Sequence, residues 1–246
     1  MKPHRARHLG LPLIAAVAVA VAVAVSVALT GCGGSDSKEL TISAASSLRA
    51  AFEDYGESFE GAEVRLNLAG SDQLAAQIRA GARPDVFAAA NTELPAKLHE
   101  DGLVEPPVRF AANRLVVAVR EDGRVKEFDD LREPGVKVAI GGPSVPIGAY
   151  TRDALRKVGD GITIASEELD VASIVARVRS GGADAGIVYV TDAAAVPELR
   201  AIELPVRTRA DYAAAVVRGS AHPEEARRFV RGLRGAKALA DAGFEP

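Results

Sequence analysis

Ile42-Ser43-Ala44-Ala45-Ser46-Ser47-Leu48-Arg49-Ala50-Ala51-Phe52 is the stretch around which the rest of the chain is organised. An apolar strand start at Leu40 and Ile42 runs through small residues into two adjacent serines. Leu48, Phe52, Tyr55 and Phe59 then recur at three- and four-residue spacing, the mark of an amphipathic helix. Serine ahead of such a run is an N-cap signal. The turn leaves hydroxyls and free backbone N–H groups at the positive end of a helix dipole, where an anion can settle. An ordinary capped helix reads the same way, so one such turn decides nothing. The weight lies in its recurrence.

The design returns downstream. Residues 64–68 alternate apolar and polar as a strand does, and Ala69-Gly70-Ser71-Asp72 leads into a helix carrying Leu74 and Ile78. Residues 86–90 form an apolar strand, and Asn91 or Thr92 caps a helix bearing Leu94 and Leu98. A strand at 114–119 crosses between lobes. Another at 136–140 opens into Gly141-Gly142-Pro143-Ser144-Val145-Pro146-Ile147-Gly148-Ala149-Tyr150 and a helix with Leu155. Pro146 suits a helix start, where its missing N–H costs nothing. Asp170 is an N-cap candidate before Val171, Ile174 and Val178. A strand at 186–189 ends in Tyr189. Further strands at 201–204 and 212–218 precede a helix from Pro223 and a short last helix. Strands alternating with helices predict a layered α/β fold.

Composition narrows the function. The chain has 246 residues, 48% hydrophobic and 26% charged, which suits a packed core. Only 4% is aromatic and Trp is absent, so stacking on sugars or bases is not the main chemistry. Lys2, Arg5 and Arg7 precede an apolar Ala/Val run. Losing that leader takes the formal charge from −3 to −6. Such an acidic chain binds no nucleic acid through phosphate contacts. His99 and His222 are the histidines left, both expected at the surface. No Cys pair or His-Glu-x-x-His is present, so no bare metal ion is expected. No Gly-x-Ser-x-Gly elbow is present either, and no catalytic residue is assigned. Asp153, Asp184 and Asp192 are read as solvated surface carboxylates, and the chain is read as a non-enzyme without a cofactor.

Leu29-Thr30-Gly31-Cys32 closes the apolar run and resembles the lipobox of bacterial lipoproteins. The resemblance implies a signal peptide at 1–31, lipidation at Cys32 and a flexible tether over 32–38. It also implies anchoring to the outer face of the cytoplasmic membrane.

Five stretches together resemble the periplasmic molybdate-binding proteins of ABC importers. They are Ala-Ala-Ser-Ser-Leu at 44–48, Ala-Gly-Ser-Asp-Gln-Leu-Ala at 69–75, Val-Pro-Ile-Gly-Ala-Tyr at 145–150, Asp-Val at 170–171 and Gly-Ile-Val-Tyr at 186–189. Arg-Pro-Asp-Val-Phe at 83–87 and Ala-Gly-Phe at 242–244 also look familial. The resemblance implies a two-lobed type II periplasmic binding protein fold with a hinged interlobe cleft. Lobe I would hold 39–115 plus 213–246, and lobe II 116–212. It implies that Ser47, with Ser46 as its competitor, and Ser71 donate to an oxyanion. Backbone N–H groups of Ile147 and Val171 and the Tyr189 hydroxyl would complete the shell. Molybdate is the implied ligand, and tungstate, close in size and charge, should bind too. The implied partners are a membrane permease and its cytoplasmic ATPase, with the chain itself a monomer. The alternatives are a receptor for sulfate or phosphate, or a lipid-anchored hydrolase. Asp72 departs from the family's serine-rich turn, and its side chain is expected to face solvent.

Overall fold

The computed structural model describes residues 38–246. The expected leader 1–31, the lipidation site Cys32 and all of the tether except Lys38 lie outside the described residues. The chain begins with β1 (Glu39–Ala45), a 3-10 turn (Ser46–Leu48) and α1 (Arg49–Glu57). It continues through β2 (Glu63–Ala69), α2 (Ser71–Arg79), β3 (Val86–Ala89), α3 (Glu93–Glu100) and a long β4 (Val108–Arg120). A second 3-10 turn (Phe128–Arg132) is followed by β5 (Val138–Gly141), α4 (Pro146–Val158), β6 (Ile164–Glu168) and α5 (Val171–Arg179). β7 (Ala185–Tyr189), α6 (Val190–Ala194), β8 (Leu199–Glu203), β9 (Arg209–Val216), α7 (Pro223–Leu233) and α8 (Lys237–Asp241) complete it. The alternation of strand and helix is the one expected.

The strands run in the order β2-β1-β3-β9-β4-β7-β5-β6, with β8 also on β4. β1 lies parallel to β2 and β3, and β5 parallel to β6 and β7. Between these parallel groups stand the antiparallel β9 and β4. β4 does the joining. Val108 to Arg114 pair with β9, whereas Leu115 onward pairs with β7 and β8. The strand expected at 114–119 is therefore the second half of a longer one. Its first half is buried over Phe110–Asn113 on both faces, which erases the two-residue alternation that marks a half-exposed strand. The sheet edges read differently. β2 and β6 alternate along their length, while β3, β5 and β7 are buried throughout.

The few aromatic side chains are concentrated rather than scattered. Phe229, Phe52, Phe110, Tyr212 and Tyr189 form a continuous series with ring centroids 5.6, 6.0, 6.3 and 5.7 Å apart. Phe244 of the Ala-Gly-Phe segment packs edge-on against Tyr212 at 5.3 Å. Such tilted and edge-on pairs stabilise beyond their buried area. The series crosses from α1 and α7 through β4 and β9 to β7. Asp85 of the Arg-Pro-Asp-Val-Phe segment is buried and accepts from Thr41 N at 2.8 Å and from Ser220 Oγ, so that carboxylate ties β1 to the chain leaving β9.

The helix starts need one correction. Neither serine turn is capped by its serine. Ser46–Leu48 is a 3-10 turn without a side-chain cap bond, and Ser71 is the first residue of α2 rather than its cap. The Ser47 and Ser71 hydroxyls make tertiary bonds instead. Asp170 does cap α5, accepting from Ser173 N at 2.7 Å, and Pro146 opens α4. Asn91 Oδ1 accepts from Leu94 N at 3.2 Å. The two histidines are half-buried, not exposed, with His99 Nδ1 against Val104 O at 3.1 Å.

The carboxylates expected at the surface also divide. Asp153 pairs with Arg156 and Lys157 in solvent, and Asp184 accepts from Lys137 N at 2.8 Å. Asp192 is different. The residue is half-exposed, yet its Oδ2 is shielded and has no partner among the described residues. Burial pushes its carboxyl up to about 7, against a bond from the Tyr189 backbone and reinforced by the Asp170 charge.

Two outcomes follow from this packing. A Cβ on Gly148 would lie 2.0 Å from Gly142 O and 2.3 Å from Gly141 O. Gly148→Ala therefore costs about 1–3 kcal/mol or more, read as a lower denaturant midpoint. Asp192 is protonated in the fold and ionised in the unfolded chain between about pH 4 and 7. Its stabilising contribution is complete below that window and is lost as pH rises through it. Asp192→Asn should flatten the fall in melting temperature between about pH 4 and 7, and a parallel profile for both proteins would contradict the assignment.

Candidate functional site

Each parallel group delivers its helices from the carboxyl ends of its strands. In open α/β sheets that edge is where ligands bind. β1 ends just before Ser46, β2 shortly before Ser71, β5 before Pro146, β6 before Val171, and β7 at Tyr189. These five ends meet at one hollow. Ser46, Ser47, Ser71, Ile147, Val171 and Tyr189 all line it. The structure thus brings together every side chain and helix start singled out for the oxyanion. Gly70, Ala90 and Asp170 line it as well, and none of the described residues around it is Lys, Arg or His.

The hydroxyls are positioned by partners far away in the chain. Ser71 Oγ accepts from Ala90 N at 3.1 Å, which occupies a lone pair and leaves its proton free to donate. Ser47 Oγ lies 2.9 Å from Tyr212 Oη. Asn113 Nδ2 donates to Thr191 Oγ1 at 2.9 Å just behind that pair. Tyr189 is 1% exposed, and its hydroxyl has no partner among the described residues. Burial holds its phenol well above the ordinary range, so it remains a proton donor. Tyr212 is held high for the same reason.

The backbone supplies the remaining donors. Ile147 is the second residue of α4 and Val171 the first of α5. N–H groups at these positions have no carbonyl within their own helix. Apolar side chains at both positions pack into the core while their N–H groups face the helix start. The positive ends of α2, α4 and α5 add partial charge without any ionised group.

Sequence reading missed the support beneath the site. Tyr212 stands in an alanine-rich strand, and a phenol buried there requires a polar partner. That was the available signal for Ser47. Ala90 carried none, because its contribution is a backbone N–H. The expectation for Asp72 is corrected. Its side chain neither lines the hollow nor turns to solvent: Oδ2 accepts from Ser144 Oγ at 2.7 Å, and Oδ1 is shielded. Among the described residues no cluster of His, Cys, Asp and Glu could hold a metal ion, and no helix is long and apolar enough to cross a membrane.

Comparison with known proteins agrees with this geometry. Residues 40–245 match the family described as bacterial extracellular solute-binding protein. The molybdate-binding protein ModA of Mycobacterium tuberculosis is 35% identical over 221 residues, covering 85% of this chain and 85% of its own. The molybdate-binding protein ModA of Escherichia coli is 30% identical over 204 residues, 75% of this chain and 79% of its own. The fold is similar to that of the periplasmic molybdate-binding protein of Azotobacter vinelandii, with a TM-score of 0.73 at 24% identity over 84% of this chain and 99% of that one. An α/β chain of two lobes, matched by this profile along nearly all of its described length, belongs to the family of bacterial extracellular solute-binding proteins.

Proposed function

We propose that this chain captures molybdate, and tungstate with it, for an ABC importer, through a shell of neutral donors. One observation carries the reading: the hollow gathers serine and tyrosine hydroxyls and helix N-termini with no basic side chain among them. Molybdate is a tetrahedral dianion that carries no proton at neutral pH, so it needs donors alone. Neutral donors suffice when water is excluded, because each bond is electrostatically stronger in a low dielectric. The relatives named for molybdate support the choice of anion.

Ser47 or Ser46, Ser71, Tyr189 and the N–H groups of Ile147 and Val171 form the proposed shell. Phosphate is disfavoured, because it carries a proton that needs an acceptor: Asp72 does not line the hollow, and Asp170, which does, spends a carboxylate oxygen on capping Ser173 N. Sulfate satisfies the same donors, and cavity size must reject it. The proposed lobes are 39–115 with 213–246, and 116–212. Support comes from β4, which changes partners between Arg114 and Leu115. An anion between the lobes favours the closed form, since only that form engages both sets of donors. The closed monomer would deliver its anion to a membrane permease driven by a cytoplasmic ATPase. Lipidation at Cys32 would hold it on the outer face of the membrane. No turnover of the anion is involved.

Calorimetry of the purified protein with molybdate, tungstate, sulfate and phosphate tests the reading. Tight binding of the first two alone is expected, and preference for sulfate would replace it with the sulfate reading. Tyr189→Phe and Ser71→Ala each remove one donor to a charged group, so each should weaken molybdate binding by roughly 1.5–3 kcal/mol. Unchanged affinity in either variant takes that residue out of the shell.

A further inference from the structure

One hydrogen bond crosses from the side of the sheet that holds α2 to the side that holds α4. Asp72, the second residue of α2, accepts from Ser144 Oγ at 2.7 Å, 72 residues later and in the turn between β5 and α4. Beside it the two sides approach backbone to backbone. A Cβ on Gly70 would lie 2.5 Å from Leu169 O, in the turn between β6 and α5. Gly70 has φ −60° and ψ 137°, a conformation open to any residue. Its backbone does not demand glycine; the neighbouring carbonyl does. Asp72 Oδ1, shielded and without a partner among the described residues, lies 2.8 Å from the same Cβ position.

We infer that Gly70, Asp72 and Ser144 form a closure latch: Asp72–Ser144 bonds the two lobes directly at the rim of the anion cavity, and Gly70 lets them come close enough to make it. This rests on the oxyanion reading above and adds to it Asp72 and Ser144, positioning residues that do not line the anion cavity. The latch slows release without contributing to the shell, because the bond forms only when the lobes meet. The carboxylate also opposes the approaching dianion. In that place it makes a bond that a neutral, non-accepting residue could not make.

Stopped-flow release of molybdate from the purified protein tests the latch. Ser144→Ala keeps the carboxylate and deletes the donor, and should release molybdate about three- to tenfold faster, the range of one partly exposed hydrogen bond. Asp72→Ala should also release faster. Asp72→Asn retains an acceptor oxygen for Ser144 and should return the rate toward wild type. Gly70→Ala should weaken affinity by about tenfold or more, because its Cβ meets the Leu169 carbonyl as the lobes close. Wild-type release from Ser144→Ala and Asp72→Ala overturns the latch. If wild type binds none of the four oxyanions, it is the oxyanion reading that fails. Small-angle scattering then judges the latch alone: Ser144→Ala and Gly70→Ala should show a larger radius of gyration than wild type, and equal radii reject it.

Discussion

Parallel strands that end side by side release their helices from the same edge. Everything at the candidate site depends on that constraint. β1, β2, β5, β6 and β7 end around a single hollow, and each continues into a 3-10 turn or helix whose first N–H groups have no partner within it. A buried N–H without an acceptor is costly, so the convergence produces unmet hydrogen-bonding capacity of one sign. A tetrahedral anion fits that deficit without bringing Lys or Arg into the interior, where a charge left unpaired between binding events would be expensive.

Donors must also be held still. The hydroxyls are anchored by groups behind them: Ala90 N for Ser71, and Tyr212 for Ser47. Tyr189 has no such bond, and its ring is set instead by its place at the end of the aromatic series that includes Tyr212 and Phe110. The aromatic content is low, yet it lies where β4 and β9 join the two parallel groups. The core that stabilises that junction therefore also orients the site. The cost is a crowded polar interior. Asp192, just beyond Tyr189 on α6, is left with one shielded oxygen, Oδ2, that has no partner among the described residues.

Much of this was readable along the chain. The strand–serine–helix turns, the Asp170 cap, Pro146 at a helix start and the alternation of elements all follow from residues a few positions apart. The residues named for the oxyanion came from a resemblance, and the coordinates gather them at one cavity. The errors have a common cause. Ser71 read as a cap because capping is a local habit of serine; its hydroxyl instead holds the backbone just past the end of β3, 19 residues away. Asp192 read as surface because most aspartates are. The first half of β4 was invisible because burial on both faces removes the pattern by which strands are recognised.

The sequence by itself determined the α/β class, the order of elements, the chemical types available at the turns and the scarcity of basic groups near them. These are short-range properties, set by backbone propensity and side-chain periodicity. Only the tertiary structure decided which hydroxyls keep a free proton, that Asp72 reaches Ser144 across 72 residues and that Ser47 meets Tyr212 across 165. Such pairs form because the sheet brings distant strand ends to one edge, and local spacing carries no record of which ends will meet.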